Sequence, residues 1–545
     1  MHIVTSLLFL LNVPPTCAAR TTYHLRYPEI GSGILRVELA LSGPVTAPAH
    51  LVIPRAVPMG YANVRYDRFV SSVRAWDAEG KSLAVTREEG PRWSLGKEGE
   101  GVARVTYTVD VGEMERILLS AADASRARPG YVGVLGYSVF GYVDGCQGRP
   151  LTLEVTAPAG WPVFSTLAPA MPPGADAAAS PSPAPDTLRA SAPRFYDLAD
   201  GQVLMGPDLQ VARLDAAVPL YLAVYAEAGV DLSVIGELAR RAMNRVVAYF
   251  DSRPLKHYTV VQEYLRPLSP DHEYGFSMEH MESGTFFLGT DRAITRETPA
   301  AQRERTLANF VHHFAHSWVP KRSYGEGYFP FQWELAPLLE TIWLSEGFVR
   351  YLTIEIMDDL AAQGGRASRV PAPSGVRARP GARAHPGARS RPGAYRDSVL
   401  ASYRRALDRM PAFLNRMSLV ELSRTGSTTY GEDFRVGRSL FMRGALMAGE
   451  MDDTIRAATD GRRRFRDVLR YLVAWSAENR RAYSLEELPA LFRQATGVDV
   501  EGVYRRWMGP YGTDVSSGRD REAAPLPEIP LAPAIPLGAC PSNAA

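Results

Sequence analysis

Between residue 21 and about residue 225, apolar and polar positions alternate in short runs set off by Gly and Pro. GILRVELALS, VARVTYTVDV, PLTLEVTAPAGW and PLYLAVYAEA are of this kind. A period of two between such breaks predicts an antiparallel β domain. The stretch MPPGADAAASPSPAPD (171–186) interrupts it as a flexible surface loop. Near Asp231 the period lengthens, and DLSVIGELARRAMNRVVAYF carries apolar residues at helical spacing. A strand-like HYTVVQEYL follows, then an irregular stretch to about Gly289. Two more helices are predicted next. RERTLANFVHHFAHSW sets Leu307, Phe310, Val311, Phe314 and Trp318 on one stripe, and LAPLLETIWLSEGFVRYLTIEIMDDL holds Pro337 in its first turn. Residues 364–394 are an Arg/Pro/Gly insert with no acid, read as a disordered surface loop. Helices resume at SVLASYRRALDRMPAFLNRM and run to about Trp507, before a Pro-rich tail. The chain thus divides into a leader (1–19), a β domain (20–225), a mainly helical domain (226–510) and a disordered tail (511–545).

Length and composition narrow the class. The 545 residues suit two or three domains plus tails. With 46% hydrophobic and 10% aromatic residues, the chain as a whole is not disordered or fibrous. The formal charge of +2 supplies no global basic field, so no nucleic-acid partner is expected. The Arg-rich insert is a weak polyanion candidate. Residues 1–20, MHIVTSLLFLLNVPPTCAAR, carry an apolar run too short to span a bilayer, then small residues. That is a secretory pattern, and it places the protein in a secreted or periplasmic setting with no membrane span. Three cysteines exclude a disulfide framework or a Cys-rich metal site. With the leader removed, Cys146 and Cys540 remain, either paired or as free thiols.

The chemistry concentrates in His312-His313-Phe314-Ala315-His316. On a helix, residues four apart share a face, so His312 and His316 present two imidazoles to one ion. Such a pair suits Zn²⁺, which takes N and O ligands and keeps one position open in catalytic sites. Glu346, in Trp343-Leu344-Ser345-Glu346-Gly347-Phe348 on the next helix, is the natural third ligand. It is a carboxylate on an otherwise apolar helix, where an unpaired charge is costly to bury.

In these segments the chain resembles the glycyl aminopeptidase family of gluzincin zinc metallopeptidases. Members carry H-E-F-F-H-T-W, then Lys-Arg, then W-x-x-E-G-F. Here the positions read HHFAHSW, Lys321-Arg322 and WLSEGF. Phe276-Ser277-Met278-Glu279-His280 stands where the family has G-G-L-E-H. FYDLADGQVLMG resembles its F-x-x-Y-D-x-L-x-D-x-P-x-x-M-G, and SLFMRGALMAGE resembles its Y-x-K-G-A segment. The resemblance covers about residues 21–510. It implies an α+β architecture, an N-terminal antiparallel β domain followed by a thermolysin-like, mainly helical metallopeptidase domain. It implies one Zn²⁺ on His312, His316 and Glu346. Peptide or protein N-termini would be the partners, with the free α-amino group on Glu279 and with Ser277 and His280 beside it.

Three departures from the family fall on the chemistry. The general-base Glu of H-E-x-x-H is His313 here. The oxyanion-binding Tyr, three residues before the Gly of Y-x-K-G, is Phe441, whose ring has no donor. The two Gly ahead of Met278 are Phe276 and Ser277. The chain is therefore expected to keep the metal site and the amine-binding Glu with little or no hydrolysis, in a peptide-binding or scaffold role. The alternative is an active metalloaminopeptidase, cleaving small N-terminal residues with His313 or another group as base.

Overall fold

The computed structural model describes residues 17–61, 63–118, 124–169, 186–270, 272, 274–367, 392–430 and 433–512. The leader up to residue 16, most of the Pro/Ala/Ser stretch, most of the insert, Cys540 and almost all of the tail lie outside the described residues.

Alternating strands build the N-terminal part. Thr21–Arg26 buries Thr21, Tyr23 and Leu25 on one face, the period of a sheet with one covered side. In a seven-stranded sheet it lies antiparallel to Ile34–Thr46 and parallel to Leu151–Thr156. Two four-stranded sheets complete this part. Cys146 is disulfide-bonded to Cys17, not to Cys540. Cys17 and Ala19 are both buried, so the fold uses residues that the sequence reading placed in the leader.

The second part starts earlier than the strand pattern suggests. Leu220–Ala226, read as part of the β domain, instead lies parallel to Tyr258–Leu265 in a five-stranded sheet. The helix Leu232–Phe250 connects the two strands. Asp231 caps it, its Oδ1 accepting from Ser233 and Val234 N–H. Every residue of Tyr258–Leu265 is buried, as befits a central strand covered on both faces. The stretch expected to be irregular holds two further strands, Ser283–Gly289 and, antiparallel to it at the sheet edge, Gly275–Glu279. Helices follow as Ala300–Ala315, Ile342–Ala367, Ala394–Leu407, Leu419–Thr429, Phe434–Ala458, Phe465–Asn479 and shorter ones to Met508. The insert's two ends are therefore helical. Among the described residues no helix is long and apolar enough to cross a membrane.

Pro337 is not in a helix. The main chain ahead of Ile342 is held from outside, with Leu339 N–H donating to Ser427 Oγ at 2.8 Å. The helix begins where Leu344 and Ser345 N–H turn back to the Thr341 carbonyl.

Two glycines set how closely the Ile342–Ala367 and Phe434–Ala458 helices meet. A Cβ on Gly444 would lie 2.2 Å from the Trp343 carbonyl oxygen, and one on Gly347 would lie 2.4 Å from Gly444 Cα. Phe441 and Glu346, three residues before Gly444 and one before Gly347, line the same cavity. Gly444→Ala is expected to destabilise the protein by about 1–3 kcal/mol through overpacking, beyond the ~1 kcal/mol that Ala gains in helix propensity. The urea midpoint measures this, and an unchanged or raised midpoint would mean that the helices do not meet at these glycines.

Candidate metal centre

The helix Ala300–Ala315 is driven inward at its C-terminal half. Leu307, Phe310, Val311, Phe314 and Ala315 are buried, which carries the neighbouring histidines inside with them. His316 is the C-cap residue and keeps helical dihedrals, so the one-turn spacing from His312 survives the helix end. The two Nε2 atoms lie 3.1 Å apart. His316 Nδ1 donates to the Val319 carbonyl at 2.9 Å, which leaves Nε2 as the ring atom turned toward His312 and Glu346. Glu346 Oε2 lies 3.4 Å from His312 Nε2 and 3.5 Å from His316 Nε2. All three side chains are buried.

That triangle is the size a metal asks for. Ligand bonds of about 2.0–2.1 Å in a tetrahedron put neighbouring donors roughly 3.3–3.4 Å apart. Two imidazoles and one carboxylate are also the donor set of a catalytic zinc site with one open position. The residues present fit Zn²⁺.

The protonation states follow from burial and neighbours. Burial, with His316 beside it, pushes His312 down to about 3, so its ring is neutral at pH 7. Burial opposes charge on His316 as well, but Glu279 and Glu346 outweigh it and raise His316 to about 9. Burial alone would raise Glu279, yet His316, His313 and Lys321 hold it well below the usual carboxylate range. Glu279 and Glu346 are thus ionised, with the protonated His316 beside them.

His313 stands beside the triangle. Its Nδ1 is 3.7 Å from Glu279 Oε2, and its ring meets Phe286 edge-on. Burial lowers its pKa, so the ring is neutral and one of its nitrogens is basic. Glu279, His313 and His316 form a second set of donors, all within 4.8 Å of one another. The ring of Phe441 is 5.6 Å from that of His312.

These groups share one cavity of about 1240 Å³, lined by His312, His313, Glu346, Glu279, Ser277 and Phe441. Phe276 lines it too. Ser277 Oγ accepts from Asn309 Nδ2 at 3.1 Å. His280 points elsewhere, its Nδ1 3.1 Å from Asp200 Oδ1 and its Nε2 3.3 Å from Thr285 Oγ1. It ties the end of the Gly275–Glu279 strand to the N-terminal part and does not line the cavity.

The other carboxylates near the motifs are engaged elsewhere. Glu282 faces His257 and Arg322, Glu334 binds Arg92, and Glu340 binds Arg424.

Three cavity residues were not legible in the sequence. Tyr61 comes from the N-terminal part and shares a 3.0 Å hydrogen bond with Ser345 Oγ. Tyr430 packs its ring over Gly437, where a Cβ would fall 2.7 Å from it, and against Phe441. Its hydroxyl makes no hydrogen bond among the described residues. Arg350, one turn beyond Glu346, lines the same space. Only helical spacing from Glu346 could have flagged Arg350. Nothing local marks the two tyrosines.

Comparison with known proteins agrees with this architecture. Residues 22–207 match a sequence model described as the Peptidase M61 N-terminal domain. A search of curated proteins returned no match. An aminopeptidase N family protein from Idiomarina loihiensis has a similar structure, at TM-score 0.72 and 17% identity over 90% of this chain and 76% of that one. An M1 zinc metallopeptidase from Deinococcus radiodurans, a variant bound to a Tyr-Ser-Ala substrate, aligns at TM-score 0.50 and 14% identity over 91% of this chain and 94% of that one. The chain therefore has the two-part fold of the M1-type zinc metallopeptidases, an N-terminal antiparallel-rich β region followed by a mainly helical one.

Proposed function

We propose that this protein binds one Zn²⁺ and receives the free amino terminus of a peptide, with little or no hydrolysis. One observation carries the reading: His312 and Glu346, which form the triangle with the buried His316, line a single cavity with the Glu279 carboxylate, while the positions beside them hold an imidazole and a phenyl ring. His312, His316 and Glu346 would hold the ion. When bound, zinc supplies Lewis acidity toward a carbonyl oxygen or a water.

The chain's own residues do the rest. Glu279, kept ionised by its surroundings, accepts charge-assisted hydrogen bonds from an α-ammonium group. Ser277 and Phe276 shape the cleft around the first residue of the peptide. His313 lacks the carboxylate that the family uses to take a proton from the attacking water. Losing a positioned acid/base group costs about 10²–10⁴-fold. Phe441 has no hydroxyl to donate to a developing oxyanion, a further loss of roughly 10²–10³-fold. The protein would be secreted or periplasmic.

A second reading, an active aminopeptidase, draws on two observations. Glu279 lies close enough to orient His313, as a carboxylate orients an imidazole base. Tyr430, whose hydroxyl makes no hydrogen bond among the described residues, lines the cavity and could supply the hydroxyl that Phe441 lacks.

Calorimetry on the zinc-loaded protein tests the leading reading, with the ketomethylene isostere of Ala-Ala as a ligand that cannot be cleaved. N-acetylation of the isostere, or Glu279→Gln, is expected to weaken binding at least ~10-fold, the scale of one charge-assisted hydrogen bond. Equal binding of the acetylated form would overturn the assignment of Glu279.

A further inference from the structure

Arg350 sits four residues after Glu346 on the Ile342–Ala367 helix. It therefore faces the same way, about 6 Å further along the axis. Its Nε donates to Tyr403 Oη at 2.8 Å, and Tyr403 also lines the cavity. That bond fixes the plane of the guanidinium, and its terminal N–H groups make no hydrogen bond among the described residues. Among the described residues no carboxylate comes within ion-pair distance of Arg350. Glu279 and Glu346, the deep acids of the cavity, face histidines instead. Asp291 and Glu304 line the cavity too, but are exposed. A half-buried guanidinium with an open fork is a receptor for a carboxylate, which it binds bidentately.

The spacing sets the length of the ligand. An extended peptide advances about 3.3 Å per residue. With its α-ammonium on Glu279 and its first carbonyl at the His312–His316–Glu346 triangle, a terminal carboxylate one or two residues further on reaches the level of Arg350. Exposed Arg292, Arg305 and Arg438 line the same cavity, whereas Glu279 and Glu346 are buried in it. A zwitterion fits such a field end to end.

We propose that Arg350 binds the C-terminal carboxylate of a dipeptide or tripeptide whose amino end is seated at Glu279, which makes very short free peptides the ligand class of this cleft. This rests on the proposed seating of the amino terminus at Glu279.

The test compares the ketomethylene isostere of Ala-Ala with its C-terminal amide by calorimetry on the zinc-loaded full chain. The free acid is expected to bind at least ~10-fold tighter than the amide, the scale of a charge-assisted hydrogen bond. Arg350→Met should erase that ratio. Tyr403→Phe, which keeps the charge and frees its orientation, should narrow the ratio without erasing it. Equal affinities for acid and amide overturn the proposal, and so does a ratio that survives Arg350→Met. Should Arg350→Met fail to fold, the ratio in the unmodified chain and its response to Tyr403→Phe decide the matter. Insensitivity to N-acetylation with the acid–amide ratio intact would remove Glu279 from its role and leave Arg350 in place. Failure of every form to bind overturns both.

Discussion

Restoring the two missing groups is expected to switch on peptide cleavage. The double variant His313→Glu/Phe441→Tyr should release N-terminal Ala from Ala-p-nitroanilide at least ~10³-fold faster than the unmodified chain, and chelator should abolish the gain. Separately, a general base is worth about 10²–10⁴ and an oxyanion donor about 10²–10³. Groups that act as one unit do not combine multiplicatively, so the product of the two is an upper bound. The structure favours the exchange. His313 occupies the helix position one residue after a triangle donor, and its ring is 3.7 Å from Glu279. A carboxylate introduced there gains a like-charged neighbour, which raises its pKa toward the range useful in a base. The Phe441 ring already stands 5.6 Å from that of His312, so a hydroxyl on it enters the same cavity. The opposite outcome is equally readable. If His313→Glu lowers activity, His313 is the working base, with Glu279 orienting it. If Phe441→Tyr adds nothing while Tyr430→Phe removes activity, the donor is Tyr430.

Loss of the metal should follow substitution of His316 more surely than that of any other residue. His316 belongs to both groups of donors, one with His312 and Glu346 and one with Glu279 and His313. His316→Ala is expected to weaken zinc binding by more than ~100-fold, the upper end for changes to residues that only support a ligand. It also leaves Glu279 and Glu346 buried with less positive charge near them, which adds a loss of stability. Metal content after dialysis against a weak chelator measures the first effect. Glu346→Ala and His313→Ala then separate the two groups. Zinc lost with Glu346→Ala and kept with His313→Ala places the ion on His312, His316 and Glu346. The reverse pattern moves it to Glu279 and His313. Zinc retained by His316→Ala ends the assignment altogether.

Much of the local structure was legible. The alternating Thr21–Arg26, the capped helix after Asp231 and the striped helix before His316 all form where their periods put them. The expectations that failed share a cause. Leu220–Ala226 looks like any half-buried strand, and only the parallel partner Tyr258–Leu265 assigns it to the second sheet. Pro337 suits the first turn of a helix, but Ser427, some ninety residues away, holds the neighbouring main chain out of one. Cys146 pairs with Cys17 because the sheet brings the chain's start against the loop after Tyr142–Val143.

The sequence by itself determined that His312 and His316 lie one helical turn apart. That spacing is a property of the backbone over a few residues. Only the tertiary structure decided that the helices of His312 and Glu346 bring their faces together, that Tyr61 and Tyr430 reach the same cavity, and that Glu282, Glu334 and Glu340 are occupied by cations elsewhere. Those outcomes depend on contacts between residues far apart in the chain, where the free energy of burying a surface depends on which partner covers it, and no local pattern encodes the partner.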